Sequence, residues 1–268
     1  MKRVMYLFIL LLVGVVLVGC QKESSTSNKI VVGMECDYEP FNYTETAQTE
    51  TNVPIENVPG GYADGYDVRM AKLVAQALGK ELVVRAYQWE GLIPALKAGE
   101  IDMIIAGMSD TAERRESIDF TDPYYVSEEV ILLSNTSSYA NSTKLSDFSG
   151  ARVIAQLGTI YADLVPQLTA IGAVHGTDLD SVPQIVNAIL RGQADITIVE
   201  LPVAKGIVAQ NNALSYVRLN PGFEVEESDV AVSIGIRKNY ELKAQINEAL
   251  SKISTDQRTE IMDSVINR

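Results

Sequence analysis

The sequence predicts an α/β protein built as two successive lobes. Three observations carry that expectation. Short apolar strand segments alternate with longer segments of helical spacing, the pattern of parallel sheets with right-handed helical crossovers. The alternation stops at a stretch rich in Asn, Ser and Thr, residues 135–143, and then restarts. The chain has 268 residues, 47% hydrophobic and 21% charged, which suits one or two packed domains and argues against disorder.

The elements can be justified in order. Ile30-Val31-Val32-Gly33-Met34 is a short buried-strand run. Residues 67–78 have helical spacing, with Val68, Leu73, Val74 and Leu78 on one face and Gly79 as a stop. Leu82-Val83-Val84 is the next strand, and 89–97 a short helix closed by Ala98-Gly99. Residues 101–106 read as a strand, and 111–116 as a helical turn capped by Asp110 or Thr111. Residues 129–134 form a long apolar strand. After the polar stretch come a strand at 152–155, a helix opened by Gly158-Thr159 and running to Leu168, and a helix at 182–190 stopped by Gly192. A strand at 195–199, a helix at 202–210, a strand at 229–236 and a terminal helix at 241–253 complete the chain. The late strand at 229–236 is expected to return the chain to the first lobe.

The N-terminus reads as an address. Met1-Lys2-Arg3 is basic and 4–18 is almost continuously apolar, a secretory signal pattern that is short for a spanning helix. It ends in Leu17-Val18-Gly19-Cys20, which resembles the bacterial lipobox. That resemblance implies cleavage after 1–19 and lipidation of Cys20, whose thiolate is the good nucleophile of the segment. Two acyl chains would hold firmly to the cell membrane where one is marginal. The polar residues of 20–29 then form a tether. Cys36 is expected to be a packed residue, and His175 an exposed one without a role.

A net charge of −13 argues against nucleic acid, whose phosphates need a basic surface. Two cysteines and one histidine leave little for a disulfide framework, a His-rich metal site or a Ser-His-Asp triad. No metal and no cofactor are implied.

Ligands of open α/β sheets bind beyond the carboxyl ends of strands. Four strand ends carry polar or aromatic groups: Glu35, Tyr38, Pro40 and Phe41; Gly107, Ser109 and Arg114; Gly158 and Thr159; and Glu200. An arginine fork and helix N-terminal amides suit a carboxylate, a carboxylate and a free carbonyl suit an ammonium, and aromatic faces cover a side chain. The inventory suits a zwitterion.

Three motifs together carry a resemblance: Gly65-Tyr66-Asp67-Val68, then Leu92-Ile93-Pro94-Ala95-Leu96-Lys97-Ala98-Gly99-Glu100-Ile101-Asp102, then Glu113-Arg114-Arg115-Glu116-Ser117-Ile118-Asp119-Phe120-Thr121-Asp122-Pro123-Tyr124-Tyr125. From about Ile30 to the C-terminus the chain resembles the polar amino-acid-binding proteins of ABC importers, the bacterial extracellular solute-binding proteins of family 3. The resemblance implies a two-lobed periplasmic-binding-protein-like (type II) fold with two hinge strands, at 129–134 and 229–236. Lobe one would be 30–133 plus 230–268, and lobe two 134–229. It implies a monomer that closes on an amino acid and delivers it to a membrane permease driven by an ATPase, without catalysis.

The same resemblance assigns roles. Arg114 and Ser109 match the groups that bind the ligand carboxylate, with Thr159 the donor from lobe two. The Gly107 carbonyl and Glu200 match the groups that hold the α-ammonium. The family more often has Asp at the Glu200 position. Tyr38 and Tyr66 match the aromatics that sandwich the side chain, Trp89 an aromatic position before the Leu-Ile-Pro motif, and Glu35 an acid at the side-chain tip. In isolation each residue has a plainer role: Arg114 a solvated helix residue, Glu200 a strand-end acid, Thr159 an N-cap, and Tyr38, Tyr66 and Trp89 packing residues. Glu35, Glu39 and Glu90 beside Tyr38 and Trp89 favour a polar, basic ligand (Lys, Arg or His), with Gln the alternative. The chain departs from the family between Thr44 and Tyr62, where a longer polar segment is expected to be a surface loop near the pocket mouth. Two other classes share the motifs. A dehydratase-like enzyme would need an acid/base pair that is not evident. A receptor's sensing domain would carry a signalling module, and none follows Arg268.

Overall fold

The computed structural model describes residues 28–267. The expected signal peptide, Cys20 and most of the expected tether lie outside the described residues. Two five-stranded sheets and one small four-stranded sheet carry the fold.

The first lobe opens with β1 (Lys29–Met34) and three short pieces, β2 (Asp37–Tyr38), β3 (Asn42–Glu45) and β4 (Val53–Pro54), followed by β5 (Tyr62–Asp64). Helix α1 (Tyr66–Ala77) buries Val68 and Val74 of the expected face, with Met70, Ala71 and Ala75 beside them, while Leu73 and Leu78 are only half-buried. Next come β6 (Glu81–Ala86), a single helical turn at Trp89–Gly91, α2 (Leu92–Ala98), β7 (Met103–Ile104), α3 (Ala112–Ser117) and β8 (Asp119–Val126). Gly99 ends α2 at φ 77°, a conformation that favours glycine.

The second lobe contains β9 (Glu129–Ser134), a helical turn at Leu145–Phe148, β10 (Arg152–Val153), α4 (Ile160–Thr169), β11 (Val174–His175), α5 (Val182–Leu190), β12 (Ile196–Glu200), α6 (Leu201–Gln210) and β13 (Leu214–Val217). The chain then returns through β14 (Ala231–Ile236) to α7 (Lys243–Ser251) and α8 (Thr255–Ile266).

The large sheets have orders β6-β1-β7-β14-β8 and β11-β10-β12-β9-β13. In each, one strand opposes the rest. β14 is antiparallel to β7 and β8, and β9 is antiparallel to β12 and β13. These are the two strands that have just crossed from the other lobe. A strand arriving from the cleft enters at the carboxyl ends of its neighbours and must run against them. Topology thus points the strand ends of both sheets at a common gap, the architecture of a type II periplasmic binding protein.

The pairing adjusts several expectations. β9 bonds only within the second sheet, so the crossing falls at Ser127 and Glu128, upstream of the expected 133/134 boundary. The strand expected at 101–106 is a ladder only at Met103–Ile104. β8 holds Pro123, which a central strand would not tolerate; β8 lies at the sheet edge, where the β14 register is also irregular. The helix expected at 241–253 is α7, and an unexpected helix, α8, follows it, capped by Ser254, whose hydroxyl accepts from the Gln257 amide at 3.2 Å. The departure at 44–62 is ordered. Val53–Pro54 and Tyr62–Asp64 join β2 and β3 in the small sheet, and Ile55 bridges Val84 beside β6.

Candidate ligand-binding cleft

The cleft between the two large sheets is lined by residues from both lobes. Glu35, Tyr38, Trp89, Gly107, Ser109 and Arg114 come from the first, and Gln156, Thr159, Ile160, Tyr161 and Glu200 from the second. The space between these residues, its open mouth included, is about 270 Å³. Only about 10 Å³ of it is open to a water-sized sphere, room for about one water, so the lobes lie closed on each other and must part to admit an amino acid. No residue of 44–62 lines it, so the long segment does not roof the site.

Arg114 sits in α3, whose N-cap Thr111 accepts from the Arg114 amide. The short helix aims the guanidinium across the gap. Its Nη1 donates to the Ser109 carbonyl at 2.8 Å and its Nη2 to the Gly158 carbonyl at 3.4 Å. The guanidinium carbon lies 5.2 Å from the Trp89 ring centre, a cation–π contact that fixes its plane. Trp89 donates its indole N–H to the same Gly158 carbonyl at 2.8 Å. Burial pushes the Arg114 pKa down, opposed by Tyr161, Asp163, Glu113 and Asp229.

Glu200 ends β12 and is 3% exposed. The Tyr38 hydroxyl donates to it from lobe one, and Tyr161 hydrogen-bonds it from the first turn of α4. Burial raises its pKa, and these two hydroxyls oppose the rise. Glu129 is its antiparallel partner across β9 and β12, with a pKa pushed up to about 7, chiefly by burial.

Glu35 follows β1 and accepts from Gln156 Nε2 at 2.8 Å across the cleft. Its pKa is pushed up to about 8, by burial first, then by Asp37, while the Gln156 bond opposes. Gln156 also donates to the Asp180 carbonyl, which holds its amide in place. Gly107 has φ 62°, and a Cβ there would come within 3.0 Å of the Tyr38 ring. Only glycine lets that ring lie over the strand end. Thr159 is the N-cap of α4, yet its hydroxyl donates to the Gln156 carbonyl at 2.7 Å instead of capping the helix.

The structure therefore gathers Glu35, Tyr38, Trp89, Gly107, Ser109, Arg114, Thr159 and Glu200 around one gap. It does not bring Tyr66 there. Tyr66 is fully buried beneath Phe41, against Tyr124 and Tyr125, with its hydroxyl donated to the Tyr124 carbonyl at 2.9 Å. Of the three acids expected near the side-chain end, only Glu35 lines the cleft. Glu39 faces a separate groove with Gln210, and Glu90 is exposed. Sequence reasoning missed Gln156 and Tyr161. Their positions offered a signal: Gln156 follows the strand run 152–155, and Tyr161 sits in the first turn of the helix opened by Gly158-Thr159. Cys36 is buried, as expected, with its thiol pushed up to about 12, chiefly by burial. His175 is exposed and meets Asp178 at 2.9 Å.

The lining carries two carboxylates and one guanidinium. A zwitterion would use one of each and leave Glu35 over. Among the described residues, no helix is long and apolar enough to cross a membrane.

The profile of the bacterial extracellular solute-binding proteins, family 3, matches residues 30–266. The chain is 29% identical over 257 residues to the arginine-binding extracellular protein ArtP of Bacillus subtilis, covering 94% of this chain and 93% of that protein. It is 32% identical over 224 residues to a probable histidine-binding protein of Campylobacter jejuni, covering 80% of each. Its fold is similar to an amino acid ABC transporter substrate-binding protein from Streptococcus pneumoniae bound to L-arginine. That likeness has TM-score 0.77 and 25% identity, over 90% of this chain and 94% of that one.

Proposed function

The chain belongs to the bacterial extracellular solute-binding proteins, family 3, and from that premise we propose that it captures a basic L-amino acid between its lobes for an ABC importer. The observation that carries the choice of ligand is the charge of the lining. Glu35 and Glu200 face a single Arg114. A basic amino acid brings one negative and two positive groups and leaves no charge in the cleft unpaired.

In this reading Arg114 and Ser109 take the α-carboxylate, joined by Thr159 at the start of α4. Glu200 and the Gly107 carbonyl take the α-ammonium. Tyr38 and Trp89 wall the side chain, and Glu35, positioned by Gln156, meets its cationic end. The relatives named for arginine and histidine binding support the same class. Charge-assisted bonds in a dry cleft are worth about 1.5–3 kcal/mol each, enough for micromolar affinity or better at roughly −8 kcal/mol. Because contacts come from both lobes, ligand shifts the population towards the closed form.

The reading is capture without turnover by a monomer, with delivery to a membrane permease and its ATPase. Its localisation, in the same proposal, is the outer face of the cytoplasmic membrane, held through lipidated Cys20 after removal of 1–19. Palmitate labelling that is lost in Cys20→Ser checks the anchor.

A thermal-shift screen of residues 21–268, unfolded and refolded to strip carried ligand, against the twenty amino acids and cystine tests the ligand class. A ligand at a hundred times its Kd adds about 2.7 kcal/mol, which is readily seen. Arginine, lysine or histidine should raise the Tm and be recovered unchanged. A response to glutamate alone, or to none of the panel, would overturn the reading.

A further inference from the structure

Asp67 lies wholly outside the cleft lining, yet it is fully buried and holds two of the segments that form it. One oxygen, Oδ1, accepts from the Tyr124 hydroxyl at 2.6 Å, and that hydroxyl accepts from the Gly107 amide at 3.3 Å. The other, Oδ2, accepts from Asn42 Nδ2 at 2.8 Å, and Asn42 Oδ1 accepts from the Cys36 amide at 2.7 Å. One arm therefore fixes the strand end that carries Gly107. The other fixes the turn between Glu35 and Tyr38.

We propose that Asp67, with Tyr124 and Asn42, is a positioning unit that sets the geometry of the ammonium-binding carbonyl and the side-chain-binding turn together. The inference rests on the amino-acid-capture reading above and deepens it. The argument is one of donor and acceptor direction. The Gly107 and Cys36 amides can only donate. Tyr124 must therefore accept from Gly107 and give its own proton to Asp67. Asn42 must turn its carbonyl to Cys36 and its amide to Asp67. Both arms end on a donor, so residue 67 must accept twice. A carboxylate does so and an amide of the same shape does not. In Asp67→Asn the new NH2 faces either the Tyr124 hydroxyl or the Asn42 amide, and reversing either partner sets a donor against Gly107 or Cys36. Buried groups left unmatched in this way are costly, so the chain must give up one arm. Asp67 also stands on α1, which ties the unit to the core of lobe one and not to the hinge.

The arms are separable by variant and by ligand. Tyr124→Phe removes the Gly107 arm alone, and Asn42→Leu the Cys36 arm alone. The probes are L-arginine and 5-guanidinopentanoate, which lacks the α-amino group. Calorimetric titration of Tyr124→Phe should show about a tenfold loss for L-arginine, the order of one hydrogen bond misplaced, and little change for the des-amino probe. Asn42→Leu should weaken both by a similar factor, because both present the same side chain to Glu35 and Tyr38. Asp67→Glu should not restore the wild-type pattern, since the longer arm moves both acceptors. A uniform loss for both probes in Tyr124→Phe, or none, would overturn the proposal. Amide hydrogen exchange supplies a ligand-independent reading. Gly107 should lose protection in Tyr124→Phe while Cys36 keeps it, with the reverse in Asn42→Leu. If wild-type protein fails to bind L-arginine, the ligand reading fails, and the exchange pattern still decides whether Asp67 holds the two segments separately. Unchanged protection in both variants would refute the unit outright.

Discussion

The two lobes present their halves of the cleft in different ways. Lobe one holds its groups from behind. Asp67, Tyr124 and Asn42 fix Gly107 and the turn at 35–38 through bonds wholly inside the lobe. Lobe two holds its groups from within too, through Tyr161 and the Asp180 carbonyl, but adds bonds to the opposite lobe. Glu200 is met by Tyr38, Gln156 by Glu35, and the Gly158 carbonyl by both Trp89 and Arg114. A site built on one side before closure and completed on the other by closure would have a natural order, with lobe one receiving the ligand and lobe two registering it.

That order can be broken at several points. The largest effect belongs to Arg114→Ala, which strands the ligand carboxylate in a buried cleft. Removing one partner of such a pair costs about 3–5 kcal/mol, so the calorimetric Kd should rise more than about a hundredfold. Glu200→Gln, on the other lobe, should cost less, about ten- to a hundredfold, and the loss should appear in the dissociation rate by stopped flow. An equal loss in the association rate would mean that lobe two takes part in first contact. Smaller still is Trp89→Phe. It removes the bond to Gly158 and weakens the hold on Arg114, together about tenfold in Kd. If instead Trp89→Phe matched Arg114→Ala, the indole would be the anchor and the arginine secondary.

The last test reads stability against pH. Burial raises the Glu35 carboxyl from its ordinary 4.5 to about 8, and Glu129 to about 7. Between the unfolded and folded values the native protein holds protons that the unfolded chain has released. Its stability is then full below the unfolded value and declines as pH rises through the folded one. The ligand-free Tm should fall between about pH 5 and about pH 8, and Glu35→Gln should flatten part of that slope. A cationic ligand favours ionised Glu35, so affinity should rise over the same range. A Tm that climbs with pH, or an affinity that falls, would remove Glu35 from the cationic end.

Much of this contrast was legible in the sequence, but unevenly. Arg114, Ser109, Gly107 and Glu200 follow apolar strands, and topology sends strand ends to the cleft, so position alone placed them. Tyr66 was not legible. It opens a helix beside the site, and the direction of a ring is set by packing with Phe41, Tyr124 and Tyr125, distant in the chain. Its neighbour Asp67 and the distant Tyr124 carry the support instead, and a network spanning Cys36 to Tyr124 leaves no local spacing to read. Gln156 is neutral and gives no charge signal. The 44–62 segment looked like a loop because its polar residues dominate. Val53 and Ile55 are few, yet they find partners, Val53 opposite Ala63 in the small sheet and Ile55 against Val84 of β6. The α8 helix was missed although Ser254 and Gln257 supply its cap.

The central claim is that a surplus carboxylate, Glu35, selects a basic side chain. Calorimetric titration of refolded wild-type protein and Glu35→Gln with L-arginine and L-glutamine tests it most directly. Wild type should prefer L-arginine, and Glu35→Gln should lose at least about tenfold on L-arginine while its relative preference moves towards L-glutamine. An arginine-to-glutamine ratio left unchanged by Glu35→Gln would contradict the account.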